Sequence, residues 1–219
     1  MNARMWMVAA VIGVAASAVA GGQLQTPTDW RWRSDGPVKL VTGEKIPPDG
    51  LAFVAMPPGW HITTGPGTLL FQPEYTAKGN FSLESEIFLF AGTSQEEYGI
   101  FAGGSGIEPQ GGSPAYVAFV ARRDGQIAVL ARTAKGVEPL VPWRRDDAAV
   151  PQAGPDNVKN ILKVDAGPKD VVFSLNGKPV ATLPRASTRV EGLFGFRVGR
   201  NVNLHISRLD LTLKLAPAR

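Results

Sequence analysis

The chain has 219 residues, 25 of them glycine and 18 proline, with no cysteine and a formal charge of +4. A sandwich or barrel can use that length as one domain, and so many chain breakers leave little room for long helices. The composition excludes thiol catalysis, thiolate metal sites and a lipid anchor on cysteine; two histidines and no Lys/Arg run beyond two residues argue against a multi-histidine zinc site and against nucleic acid as a partner.

Residues 1–20 carry Arg4, then an uncharged apolar run, then Ala18-Val19-Ala20. A positive start, a short apolar stretch and small residues at a cleavage site are the parts of a secretory signal peptide. The expectation is cleavage near Ala20, a periplasmic or extracellular address, and no membrane span afterwards. Residues 21–50 form a lead-in with little periodicity. Trp30 and Trp32 stand two apart and share a face on a strand, where they either cover a sandwich edge or stack on a sugar.

From residue 51 the strand signals recur at short intervals: 51–56, 60–63, 68–72, 80–90, 98–102, 115–123, 126–134, 157–165, 171–175, 179–183, 189–198 and 203–215. The stretch 80–90, NFSLESEIFLF, alternates with period two, as a half-buried strand requires. Asp124-Gly125 and Asn176-Gly177 each separate two such runs and mark hairpins. In the last run Leu204 and Ile206 share one parity and Leu209, Leu211 and Leu213 the other, which predicts a bulge near Ser207-Arg208. About a dozen short strands without intervening helices predict an all-β antiparallel two-sheet sandwich over residues 51–215. The loops 103–114 and 150–155, rich in Gly, Pro and Ser, are where such a scaffold often carries specificity.

The succession NFSLESEIFLF, YGIFAGG, YVAFVARRDGQIAVLAR, NVKNILKVDAGPKDVVFSLNGKPVATL and EGLFGFRVGRNVNLHISRLDLTL resembles the concanavalin A-like lectin/glucanase jelly roll. It is closest to the laminin-G-like and 3-keto-disaccharide hydrolase-type domains. The matching positions are Phe81-Ser82-Leu83 with Glu86, Gly99-Ile100, the hairpin 173–180, and 192–196 before the final strand. The resemblance implies a jelly-roll sandwich whose last strand lies beside 80–90. Glu97-Tyr98 stand where the hydrolase branch often has Asn-Ser, and no catalytic residue is carried over. Jelly-roll glucanases use an E-x-D-x-E strand; Glu84-Ser85-Glu86 lacks the third carboxylate and the central Asp.

Glu84 and Glu86 share a strand face with α-carbons about 7 Å apart, within the range of paired glycosidase carboxyls. They are either an acid/base pair or a polar face with cation partners. Arg197 and His205 could supply partners on that face, given the strand order that the resemblance implies. His61 follows Trp60 and points the opposite way. Trp143-Arg144-Arg145-Asp146-Asp147, expected in a loop, combines an aromatic with planar forks and carboxylates, the usual chemistry of glycan recognition. Asp165, Asp170 and Asp210 are scattered; no cofactor is expected, with calcium the one ion that laminin-G-like domains would suggest. The preferred expectation is an exported non-catalytic module for a glycan or envelope polysaccharide, bound through Glu86, Tyr98, Trp143, Arg197 and His205. The alternatives are a glycoside-active enzyme using Glu84 and Glu86, and a structural or protein-interaction sandwich.

Overall fold

In a computed structural model, the described residues, 25–42, 45–108 and 112–214, form fifteen strands and no helix. The signal peptide expected over residues 1–20, with its cleavage point, lies outside them. The strands are β1 (Arg31–Ser34), β2 (Lys39–Leu40), β3 (Gly50–Ala55), β4 (Trp60–Thr64), β5 (Thr68–Ala77), β6 (Phe81–Leu89), β7 (Tyr98–Ser105) and β8 (Ala115–Ala121). They continue as β9 (Gln126–Thr133), β10 (Gly136–Arg145), β11 (Val158–Ala166), β12 (Asp170–Leu175), β13 (Lys178–Pro184), β14 (Gly192–Val198) and β15 (Asn203–Leu213). One sheet has seven strands in the order β1-β5-β14-β7-β8-β9-β10. The other has eight, β13-β12-β11-β6-β15-β4-β3-β2. All pairings are antiparallel except β2 with β3.

The expected pairing of the last strand with β6 holds over its whole length, and the register slips between Ile206 and Arg208, at the predicted bulge. That slip keeps the side chains of Leu204 and Ile206, and then of Leu209 and Leu211, on the core side despite their opposite parity. Asn176-Gly177 forms the expected two-residue turn: both residues have positive φ, 50° and 80°, as a type I′ turn requires. Around Asp124-Gly125 the loop is one residue longer. Gln126 faces Arg122, and Gly125, with φ 82°, takes the left-handed position.

Between the sheets, Phe53, Phe81, Phe119, Phe173 and Phe196 are fully buried, with Phe119 edge-on to Phe173 across the gap at 5.5 Å. The polar groups within this core are satisfied. Asn160 Nδ2 donates to Tyr98 Oη (3.0 Å) and to Val150 O (2.9 Å), while its Oδ1 accepts from Val150 N and from Asn176 Nδ2. Asn176 also donates to Ala148 O at 2.7 Å, so the hairpin tip fastens the 146–150 turn to the core. A buried amide without these partners would cost about 1–3 kcal/mol.

Three strands go beyond the sequence reading. β1 and β2 come from the lead-in and close one edge of each sheet. β10 holds Pro139 and Pro142, which mask it as a strand; it lies at the sheet edge, where a missing N–H is tolerated, and its register slips twice along β9. Of the paired tryptophans, Trp30 is only 3% exposed. It stacks on Phe196 at 5.2 Å and meets Phe53 and Trp60 edge-on. It therefore plugs the sandwich edge. Trp30→Ala is expected to destabilise the fold by about 3–5 kcal/mol. A urea midpoint within error of wild type would mean that the lead-in is not part of the folding core.

Candidate functional site

The seven-stranded sheet carries apolar side chains on both faces. On its outer face Leu69, Phe71, Phe101, Ala118, Val120 and Ala128 are buried in a second cluster, with Ile107 folded over them and Trp143, Tyr116, Leu130 and Leu193 packed around. A pocket of about 400 Å³ opens beside this cluster and crosses the sheet from β1 to β10. Ala118, Leu69 and Leu130 give it apolar walls, and Tyr116 an aromatic one. Its charged groups are Arg33, Asp35, Glu97, Arg132 and Arg197.

Strand register places them. Arg33, Leu69 and Arg197 lie in one row across β1, β5 and β14, while Tyr116, Arg132 and Val137 lie in another across β8, β9 and β10. Three strand spacings, about 14 Å, separate the backbones of β14 and β9. Arg33 Nη1 donates to the carbonyls of Gly106 (2.9 Å) and Glu108 (3.3 Å), anchoring the loop that ends at Pro114.

Arg197 is held on two sides. Its Nη1 and Nη2 donate to the two oxygens of Asp35 at 3.1 and 2.7 Å, and its Nε to Glu97 Oε1 at 3.0 Å. Burial works against the guanidinium charge, but the Asp35 bonds and the surrounding charges outweigh it, so the pKa is raised. Gly67 makes room for this fork: a β-carbon there would lie 2.4 Å from Asp35 Oδ2 and 3.1 Å from Arg197 Nη2. The Tyr116 ring packs against Phe101 at 5.6 Å. Burial pushes its phenol up, with Arg197 and Arg132 pulling the other way. The phenol is therefore neutral near pH 7 and able both to donate and to accept.

The residues expected to act together are divided between three places. Arg197 lines the pocket, on the sheet opposite Glu84 and Glu86, so it cannot be their partner. Trp143 lies on β10, not in a loop, and on the pocket's face of the sheet. The Arg122 guanidinium covers its ring at 3.8 Å. Strand alternation turns Arg144 away from it: Arg144 pairs with Asp146 at 2.7 Å and donates to Val180 O of the other sheet. Tyr98 is a core residue, 1% exposed, because β7 turns it inward with Ile100; a ligand on either sheet surface does not reach it.

Glu84, Glu86 and His205 do share the outer face of the eight-stranded sheet. Glu84 pairs with Arg208 at 2.7 Å and Lys163 at 3.8 Å. Glu86 accepts from Ser207 at 2.7 Å and pairs with Lys159 at 3.4 Å. The Ser207 hydroxyl and then Lys159 hold the Glu86 carboxyl below its ordinary range, which favours an ionised group and not a proton donor. His205 stands opposite His61, with ring centroids 6.5 Å apart, and its Nε2 lies 2.9 Å from Pro58 O. Among the described residues no group of three or more His, Cys, Asp or Glu could hold a metal ion.

Asp35, Tyr116 and Arg132 are not singled out by the sequence, and Glu97 stands out there only as a departure from the hydrolase pattern. Arg132 had a readable signal: it continues the Ala128, Leu130 parity of a strand apolar on both faces, where a cation is out of place. Asp35 had none, since it belongs to the lead-in and meets Arg197 only across 162 residues of chain.

His61 offers a pH test. Burial, followed by repulsion from His205, lowers its pKa; the Asn203 contact opposes this. The unfolded chain then binds more protons than the folded one as pH falls through the ordinary histidine range, so this contribution to stability is present above about pH 6.5 and is lost below it. His61→Phe is expected to flatten the change in melting temperature between pH 7.5 and 5.5. Parallel curves for the two proteins would remove His61 as the cause.

No protein-family model matches the sequence, and no curated protein matches it. Among solved structures, the carbohydrate-binding module CBM66 from Bacillus subtilis superposes with a TM-score of 0.56 at 14% identity, covering 74% of this chain and 91% of its own. A protein of unknown function with a galectin-like fold from Bacillus subtilis gives 0.57 at 12%, covering 84% and 88%. A glycoside hydrolase family 16 endo-glucanase from Bacteroides ovatus gives 0.55 at 11%, covering 84% and 94%. At such identities the likeness is one of fold alone, and that fold is the antiparallel two-sheet jelly-roll sandwich expected from the sequence.

Proposed function

We propose that this chain is an exported, non-catalytic binding module for a glycan or cell-envelope polysaccharide, and that the pocket on the seven-stranded sheet holds the ligand. Export, to the periplasm or the outside, rests on the signal-peptide pattern of residues 1–20. The observation that carries the binding reading is the Arg197 fork inside an aromatic-walled pocket. Asp35 is fixed by two bonds yet its side chain is 55% exposed, so its carboxylate keeps lone pairs for ligand hydroxyls. Polar groups held at fixed positions beside apolar and aromatic walls are what an orienting small-ligand site needs. One structural neighbour, CBM66, is itself a carbohydrate-binding module, which is consistent with this reading.

An enzyme of the 3-keto-disaccharide hydrolase type would use Glu84 and Glu86, and the likeness to an endo-glucanase favours it; their cation partners speak for structural pairs instead. An interaction module is favoured by a different feature, an apolar cleft of about 480 Å³ lined by Trp60, Tyr75, Phe194, Leu209 and Leu211.

A glycan array and polysaccharide pull-down with the chain from Gly21, with and without calcium, is the first test. Gly67→Ala gives the sharper one. The new methyl displaces the Asp35 carboxylate and leaves the largely buried Arg197 with Glu97 alone, so a loss of stability of about 1–3 kcal/mol is expected, and a thermal melt checks that the variant is folded. Ligand affinity should fall at least severalfold, because Asp35 can no longer sit on the fork. Full affinity in Gly67→Ala, with loss instead in Glu86→Gln, would move the site to the other sheet.

A further inference from the structure

Arg132 is the cation in the pocket that the protein does not neutralise. Arg197 has two carboxylates, and Arg33 is bound to loop carbonyls. Arg132 has no ion pair and no hydrogen-bond partner among the described residues, and its Nε is shut off from solvent without an acceptor. A half-buried guanidinium is costly in that state, since a buried donor loses its water without a replacement. It stands beside Tyr116 and Val137 in register, above the apolar wall made by Leu130, so its fork is presented to the pocket and not to a neighbouring strand.

We infer that the ligand is an anionic saccharide whose acid group lies on the Arg132 fork while its hydroxyls meet Asp35 and Glu97 at the other end of the pocket. This rests on the glycan-binding reading above and adds the ligand's charge to it. Among the charged lining groups there are three cations and two anions, so the pocket has an excess positive charge at the Arg132 end. A carboxylate or sulfate presents two acceptors to a planar fork, a bidentate fit that a neutral hydroxyl does not give. The two ends are separated by about 14 Å across the sheet, which calls for an oligosaccharide of more than one residue. The Tyr116 ring lies between them, under the influence of both arginines.

The test is a comparison of acidic and neutral ligands on the full mature chain. Oligogalacturonate, its methyl-esterified form and a sulfated galactan oligomer are titrated in parallel, after an array containing uronate, sulfated and neutral glycans. The acidic glycans are expected to dominate the array, with the uronate and sulfate arms saying which acid is taken. Arg132→Gln should lower affinity for acidic ligands about tenfold or more, and by far more than it lowers affinity for any neutral ligand. Arg132→Lys should restore part of it, and Lys178→Gln, on the far hairpin, should change nothing. Thermal melts check that Arg132→Gln is folded. Neutral hits indifferent to Arg132→Gln would overturn the anionic ligand while leaving the binding site intact. Acidic hits indifferent to it would place the acid elsewhere and also overturn the inference. An array without any hit would overturn both this inference and the binding function on which it rests.

Discussion

The constraint that organises this molecule is burial on both faces of the seven-stranded sheet. Its inner face packs on the eight-stranded sheet through Phe196, Ile100, Phe119 and Val129, and its outer face buries Leu69, Phe71, Phe101, Val120 and Ala128. A charged side chain in such a sheet cannot rely on water, so it must find fixed counter-charges or acceptors. Arg197 does so with Asp35 and Glu97, and Arg33 with the carbonyls of Gly106, Glu108 and Gly112. The pocket is the place where the outer layer is incomplete and those fixed polar groups line an open cavity.

The eight-stranded sheet follows the opposite rule. Its outer face is polar along β6, β11 and β15, and its charges cancel across strands: Glu84 with Arg208 and Lys163, Glu86 with Lys159, and Asp165 with Lys214. Half-exposed pairs of this kind contribute little each, typically below about 1 kcal/mol. They set register and keep the face soluble. Period-two alternation of carboxylates in the sequence is therefore ambiguous: it describes a polar face equally well whether or not the face does chemistry.

The sequence made much of the architecture legible because each feature had a local physical cause. The parity switch near Ser207 named its bulge, Asn176-Gly177 named a tight turn, and NFSLESEIFLF named a half-buried strand. β10 was hidden by its own prolines, which suit an edge but read as a loop. Trp143 went with it, from loop tip to strand. Tyr98 was misplaced for a different reason: alternation says which residues share a face but not which face is sealed, and the Asn160 contact that marks it as core is 62 residues away.

The site was less legible than the fold, and the reason is distance along the chain. The Asp35–Arg197 fork closes over 162 residues and depends on the space at Gly67, a third position unrelated to either in local pattern. Nothing within a window of ten residues distinguishes Asp35 from an ordinary turn aspartate. Arg132 is the exception, because a lone cation on the parity of Ala128 and Leu130 violates local expectation where it stands. Violations of a strand's own pattern are where a sequence departs from what its fold alone requires. In this sandwich the unsatisfied violation and the open pocket coincide, whereas the satisfied one, Arg197, forms part of the pocket's wall.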